Sequence, residues 1–127
     1  MTPQPISRVV AVAALDHLQE DLAPEEAKRL IDAGEVDLID VREPYEHEAG
    51  RIDGDRHVQI PELTSAAQEM DPARPVLFYC RTGARSAMAT QAFRASGYNA
   101  FNLSGGIVAW AAQGLPIVPE SGPIADH

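Results

Sequence analysis

Short apolar runs alternate with polar and amphipathic stretches along most of this chain. The runs at residues 36–41, 76–79 and 100–103 are compact and apolar, which is typical of buried β-strands. The turn-rich segment 52–60 is predicted to contain one further short strand.

Helix signals fill the spaces between these strands. Pro24 near a first helical position, followed by Glu25 and Glu26, predicts a helix that ends at Gly34. Residues 42–50 are predicted to form a short helix or turn. Further helices are predicted over residues 61–70, from about 84 to 96, and 106–113.

This alternation predicts an α/β fold of one domain, with a doubly wound, mostly parallel sheet covered by helices on both faces. Ligands of such sheets bind at the carboxyl ends of the strands. Cys80 directly follows one predicted strand, and Asp40 and Arg42 lie at the end of another. These residues are therefore the first candidates for a functional site.

Cys80 is the single cysteine of the chain, and it opens the loop CRTGARS between a strand and a helix. A tight loop of this kind directs several backbone N–H groups, and the positive end of the following helix, toward the sulfur. Such a setting stabilises a thiolate or a bound anion. We therefore interpret Cys80 as a reactive cysteine rather than an inert core thiol.

Composition excludes several classes of protein. A single cysteine forms no internal disulfide, and no apolar run approaches the ~20 residues of a membrane helix. The run 9–15 after Arg8 is interpreted as part of a packed helix rather than a signal peptide, so a cytoplasmic location is expected. The net charge of −9 argues against nucleic acid and anionic membranes as partners.

The charge is unevenly distributed. Residues 72–119 contain no Asp or Glu but four arginines, at positions 74, 81, 85 and 94, whereas the flanking segments are acidic. We interpret the cysteine loop as a positive site for a small anion within an otherwise acidic protein.

Five ordered sequence blocks carry a resemblance to a known family. They are DVREPYE (40–46), GRIDG (50–54), IP (60–61), CRTGARS (80–86), and LSGG (103–106) with Trp110 and GLP (114–116). In this order the chain resembles a single-domain rhodanese, a family in which GHIPGA often stands where this chain has GRIDGD. The resemblance implies a five-stranded rhodanese-like domain over residues 23–117. An N-terminal extension of helical pattern (1–22) and a flexible tail (118–127) would flank it.

The resemblance implies a sulfurtransferase. In that family the loop cysteine takes a sulfane sulfur from a donor such as thiosulfate, becomes a persulfide, and passes the sulfur to a thiol or cyanide. Cys80 would be the catalytic residue, with no cofactor beyond the covalent persulfide. A small anionic sulfur donor is the expected partner, and a protein donor or acceptor stays open. The substrate-binding residues would be Arg81, Thr82, Gly83, Ala84, Arg85 and Ser86.

The loop residues have separable predicted roles. Arg85 is the first candidate to hold the anionic end of the donor, and Arg81 is the second. Gly83 would supply a backbone conformation that a side chain blocks. Thr82 and Ser86 would either donate hydrogen bonds to sulfur or cap the following helix.

Residues outside the loop are predicted to be structural. Asp40 and Arg42 are interpreted mainly as a structural ion pair that supports the pocket, and Trp110 as a core residue. No metal site is expected, because the histidines lack ligand spacing. They are His17, His47, His57 and His127.

Two alternatives remain. Cysteine phosphatases and arsenate reductases also combine a strand, a Cys loop and an Arg, but with five residues between Cys and Arg, whereas Cys80 and Arg85 are separated by four. The shorter loop suits one sulfur atom better than a tetrahedral oxyanion. The other alternative is a persulfide carrier or regulatory module that acts only with a protein partner. An amphipathic helix over residues 6–18 could dock that partner, although we favour its packing on its own domain.

Overall fold

Five parallel strands form one sheet at the centre of the protein. The structure, a computed structural model, describes residues 19–120 and 122–126. The strands lie in the order β1-β5-β4-β2-β3, and every neighbouring pair is parallel. They are β1 (Asp21–Leu22), β2 (Asp37–Asp40), β3 (Arg56–His57), β4 (Val76–Tyr79) and β5 (Ala100–Leu103). The predicted parallel α/β sheet is therefore confirmed.

Helices occupy the connections between the strands, and one more helix follows the last strand. They are α1 (Pro24–Asp32), α2 (Pro44–Ala49), a 3-10 turn (Ile60–Glu62), α3 (Leu63–Ala67), α4 (Ala84–Ala95) and α5 (Gly106–Ala112). Across the described part of the chain, no helix combines the length and apolar character needed to cross a membrane.

Both faces of the sheet are buried beneath these helices. Side chains alternate across a strand. Leu77 and Tyr79 of β4 therefore belong to one apolar cluster, whereas Phe78 and the following Cys80 belong to the other. Helices α1 and α5 cover the first cluster, and α3 and α4 cover the second. Trp110 of α5 is buried in the first cluster, which confirms its predicted place in the core.

The edge strand β1 was not predicted. The helix start predicted from Pro24 and the acids after it extends back to Leu22, but Leu22 is fully buried and pairs with Leu103 of β5. The first two residues of the sheet thus fall within the predicted extension 1–22. The amphipathic segment 6–18, interpreted as a helix that packs on its own domain or else docks a partner, lies outside the described residues.

The C-terminal residues pack against the domain. Arg51 and Val118 form an isolated antiparallel bridge with N···O distances of 2.8 and 2.7 Å. Ile124 contacts the first apolar cluster, and the Tyr45 hydroxyl donates to the Asp126 carbonyl at 3.1 Å. The segment predicted as a flexible tail therefore makes contacts near α2, and its mobility stays a prediction.

Candidate active site

The cysteine loop begins where β4 ends, at the centre of the carboxyl edge of the sheet. The first turn of α5 holds its backbone, because Ile107 N–H donates to the Cys80 carbonyl at 2.9 Å and Val108 N–H donates to the Arg81 carbonyl at 3.1 Å. Gly106 permits this contact, since a Cβ there would lie 2.5 Å from the Cys80 carbonyl oxygen. The Cys80 and Arg81 carbonyls are thereby turned toward α5.

Three hydrogen-bond donors converge on Cys80 Sγ. Gly83 N–H lies 3.1 Å from the sulfur, Ser86 N–H lies 3.4 Å away, and the Ser86 hydroxyl lies 3.3 Å away. The N-terminus of α4 points at the same atom. A neutral thiol is only a weak acceptor, so this set of donors suits a negatively charged sulfur.

Gly83 shapes the cradle around the sulfur. It is the N-cap of α4, and its φ of 105° lies in the left-handed region that favours glycine. A Cβ at this position would lie 3.3 Å from Gly105 N, and Asn102 Nδ2 already donates to the Gly83 carbonyl at 3.3 Å. A side chain at Gly83 would therefore be strained by the positive φ and crowded by Gly105, in agreement with the predicted backbone role.

The sulfur lies at the bottom of this cradle. Cys80 is only 1% exposed, and its apolar side packs within the cluster that includes Val58 and Ala89. A narrow, one-atom end of a donor fits such a site better than a bulky group. Ser86 is also buried, whereas Thr82 and Ala84 are exposed at the rim.

The Ser86 hydroxyl donates a hydrogen bond to the Cys80 sulfur and does not cap the helix. The N-cap is Gly83, and no side chain in the described part of the chain caps α4. The Ser86 hydroxyl has one proton, which is shared between Cys80 Sγ and the Gly83 carbonyl at 3.3 Å each. A charged sulfur strengthens the first of these bonds.

Arg85 is held by a residue that the sequence reasoning did not single out. Its Nη1 and Nη2 donate to the two carboxylate oxygens of Glu46 at 2.8 and 3.0 Å. The Glu46 side chain is fully buried, whereas that of Arg85 is 20% exposed. Burial alone would raise the pKa of Glu46, but the hydrogen bonds from Arg85 and the Glu43 N–H outweigh it and lower that pKa. The pair is therefore a charged, bidentate ion pair.

Arg81 has a different environment at the rim. It donates to Asp126 Oδ1 at 3.1 Å, and the two side chains are 33% and 94% exposed. An exposed ion pair of this kind is weak and screened by salt. Arg81 Nε is buried and has no hydrogen-bond partner among the described residues.

The predicted positive site is not a free cationic patch. Every arginine of residues 72–119 pairs with a carboxylate from outside that segment. The pairs are Arg74 with Asp37, Arg81 with Asp126, Arg85 with Glu46 and Arg94 with Glu20. The arginines of this segment thus form ion pairs with the acidic residues of the flanking segments.

Asp40 and Arg42 form the predicted structural ion pair. Both side chains are fully buried, and Arg42 Nη2 reaches Asp40 Oδ2 at 2.8 Å. Arg42 Nη2 also donates to the Gly50 carbonyl at 2.7 Å. Because Arg42 precedes α2 and Gly50 follows it, this side chain ties together both ends of the helix that carries Glu46.

The histidines that the structure describes belong to the same network. His47 Nδ1 lies 2.9 Å from Asp40 Oδ2 and 3.6 Å from Asp55 Oδ2, and its ring stacks on His57 at a centroid distance of 4.5 Å. Asp55 also accepts the Tyr79 hydroxyl at 2.6 Å. This Asp-His-Asp cluster was not predicted, and hydrogen bonds within the fold account for its arrangement. His17 and His127 lie outside the described residues.

The fold and this site define an α/β domain built around a cysteine loop whose hydrogen-bond donors converge on the sulfur. Comparison with known proteins then identifies the family: the chain belongs to the rhodanese-like domain family, whose model matches residues 23–113. Sulfurtransferases occur among its relatives.

Three similar proteins illustrate the range of the family. The chain is 39% identical over 97 residues to a sulfurtransferase of Allochromatium vinosum, a match that covers 76% of this chain and 91% of that protein. It is 38% identical over 121 residues to an HTH-type transcriptional regulator of Mycobacterium tuberculosis, covering 91% of this chain but only 53% of the regulator. A rhodanese-related protein from Thermoplasma volcanium superimposes with a TM-score of 0.73 at 27% identity, covering 80% of this chain and all of that one.

Proposed function

We propose that this protein is a sulfurtransferase in which Cys80 carries the transferred sulfur as a persulfide. The observation that carries the proposal is the convergence of two N–H groups and one hydroxyl on Cys80 Sγ. These donors would stabilise both the attacking thiolate and the terminal anionic sulfur of the persulfide.

The reaction consists of two displacements. The Cys80 thiolate attacks the outer sulfur of the donor, so that a new S–S bond forms and the donor S–S bond breaks with its electron pair on the leaving group. The leaving group is sulfite from thiosulfate, or a thiol from a hydropersulfide. A thiolate or cyanide then attacks the outer sulfur of the Cys80 persulfide and releases the Cys80 thiolate. This is covalent catalysis with ping-pong kinetics, and it needs no external oxidant or reductant.

Intact-protein mass spectrometry tests this function directly. The protein is exposed to thiosulfate or to a hydropersulfide, and the mass of one added sulfur on Cys80 is the expected result. Cys80→Ser should give no such adduct while its thermal unfolding stays close to that of the wild type, because serine fits the same space. A folded Cys80→Ser protein that still transfers sulfur would contradict the proposal, as would hydrolysis of aryl phosphates without sulfur transfer.

A second candidate is a persulfide carrier or regulatory module. The burial of Cys80 favours it, since a 1% exposed residue is poorly accessible to free donors. The similarity to part of a transcriptional regulator is compatible with it. Rapid discharge of the Cys80 persulfide to cyanide would favour the enzyme, whereas discharge only to a protein thiol would favour the carrier.

A further inference from the structure

We propose that Glu46 is a specificity-determining positioning residue, which withholds Arg85 from the donor so that Cys80 selects hydropersulfides over the dianion thiosulfate. This inference rests on the proposed sulfurtransferase function, and it names the donor class for the same site. The argument depends on how firmly Glu46 holds Arg85 and on which charges remain for the donor.

The ion pair between Glu46 and Arg85 is bidentate and largely buried. Both carboxylate oxygens are occupied, at 2.8 and 3.0 Å from the guanidinium nitrogens, and the Glu46 side chain is fully buried. If Arg85 turned toward a donor, it would leave an uncompensated charge inside the protein, which is strongly unfavourable. The fork of Arg85 that would bind an oxyanion is therefore already engaged by Glu46, and its charge is compensated.

The Glu46 carboxylate is also fixed in place, so it does not follow Arg85. Its Oε1 accepts the Glu43 N–H at 3.0 Å in the capping box of α2. The ends of α2 are held by the hydrogen bond from Arg42 to the Gly50 carbonyl at 2.7 Å. The carboxylate thus keeps one position relative to the first turn of α4.

Arg81 remains as the accessible cation of the loop. Its partner Asp126 is 94% exposed, and exchange of so weak an ion pair for a donor is easy. The single accessible guanidinium of the loop, that of Arg81, can neutralise one negative charge on a bound donor. A thiosulfate ion brings two charges next to the Cys80 thiolate, and in a poorly solvated cradle that repulsion is large.

A hydropersulfide avoids this repulsion. In the balanced step, the Cys80 thiolate and RSSH give the Cys80 persulfide anion and RSH, with the donor proton ending on the released thiol. The site carries a single negative charge throughout. With thiosulfate, the products are the Cys80 persulfide anion and the sulfite dianion, and the reacting atoms carry three negative charges at every stage.

The test compares donor preference in the wild type and two charge variants. Rates of Cys80 persulfide formation are measured by quenched intact-protein mass spectrometry with thiosulfate and with the hydropersulfide of 2-mercaptoethanol. Glu46→Gln keeps the side-chain shape and an oxygen for the Glu43 N–H, but it releases Arg85. Glu20→Gln is the matched control, because it changes the net charge equally and releases Arg94 on the same helix. Arg94 lies about 14 Å along α4 from Arg85.

We expect Glu46→Gln to raise the ratio of the thiosulfate rate to the hydropersulfide rate by about tenfold or more, since a freed guanidinium binds oxyanions in a fork. Glu20→Gln should leave the ratio within about twofold of wild type, because Arg94 is remote from the loop. An unchanged ratio in folded Glu46→Gln, or an equal rise in Glu20→Gln, would overturn the inference. Failure of both donors to load wild-type Cys80 would instead overturn the proposed function.

A measurement on the wild type tests the inference even if Glu46→Gln does not fold. Sulfate is an inert dianion that requires the same free guanidinium as thiosulfate. We expect sodium sulfate to slow loading by the hydropersulfide no more than sodium chloride does at equal ionic strength. Stronger inhibition by sulfate would show that the wild-type site holds a dianion while Glu46 still pairs with Arg85, and the inference would be wrong.

Discussion

Ser86 supplies two of the three donors to Cys80 Sγ, through its backbone N–H at 3.4 Å and its hydroxyl at 3.3 Å. The residue lies in the first turn of α4, where backbone N–H groups have no partner within the helix. The sulfur therefore takes the place that a capping side chain usually occupies. The backbone geometry that begins α4 therefore also forms the cradle.

Removal of the Ser86 hydroxyl should slow sulfur transfer. A hydrogen bond to a charged group contributes about 1.5–3 kcal/mol, so Ser86→Ala is expected to lower the rate of Cys80 persulfide formation by about tenfold to a hundredfold. Quenched mass spectrometry gives this rate. Thr90→Val is the matched control, since the buried Thr90 hydroxyl donates to the Ser86 and Phe101 carbonyls and not to sulfur. Equal slowing in both variants would contradict a specific role for Ser86.

Gly106 should be intolerant of any side chain. A Cβ there would collide with the Arg81 carbonyl, and the φ of 63° adds strain for other residues. Gly106→Ala is expected to lower the free energy of unfolding by more than the roughly 1–2 kcal/mol of left-handed strain alone, and also to slow loading of Cys80. Gly114→Ala has a similar φ of 77° and open space around it, so it should show the strain alone. Urea unfolding of both variants measures the difference, and equal losses would refute this prediction.

The buried pair of Asp40 and Arg42 should dominate the electrostatic contribution to stability. Asp40→Asn leaves the buried Arg42 charge uncompensated, which is expected to lower the free energy of unfolding by about 3–5 kcal/mol. Asp37→Asn breaks the exposed pair with Arg74, whose loss should lower it by about 1 kcal/mol or less. Chemical denaturation of the two variants provides the comparison. Similar values for both would show that burial does not set the strength of these pairs.

Acid should destabilise the fold, and Asp55 should oppose that effect. Burial raises the pKa of Asp40, but hydrogen bonds and charge from Arg42 outweigh it, so the folded pKa lies below the unfolded value of about 3.9. Burial would likewise raise the pKa of Glu46, but the hydrogen bonds from Arg85 and the Glu43 N–H outweigh it, so this pKa is also lowered in the folded protein. The two carboxylates stabilise the fold fully when the pH lies above their pKa values in the unfolded chain. This stabilisation is lost as the pH falls through their pKa values in the folded protein. For Asp55, burial raises the folded pKa, so its protonation on acidification stabilises the fold.

Asp55→Asn provides the test of this balance. Without the opposing group, the free energy of unfolding should fall more steeply between about pH 5 and pH 3 than it does in the wild type. Asparagine still offers an oxygen to the Tyr79 hydroxyl, whose pKa is itself raised by burial. Urea unfolding across this pH range measures both slopes. A shallower slope in Asp55→Asn would show the assigned direction for Asp55 to be wrong.

The features predicted best are those that depend on neighbours in the sequence. Strands β4 and β5 have the predicted boundaries, because each is a short apolar run between clear turn signals. The cysteine loop was equally clear, since a strand, a glycine and a helix start lie within a few residues. Strand β1 was missed because it is two residues long and is defined only by pairing with Asn102 and Leu103, some eighty residues later.

The sequence by itself determined the layered α/β fold, the position of Cys80 at the carboxyl end of a strand, and the supply of backbone donors around its sulfur. Hydrophobic periodicity and turn chemistry are local properties, so they can be read along the chain. Only the tertiary structure decided which charges remain free. Arg85 meets Glu46 across 39 positions of sequence, and Arg81 meets Asp126 across 45. Charge pairing between distant segments depends on how the chain folds back on itself, and it turned an apparent cationic site into a nearly neutral one.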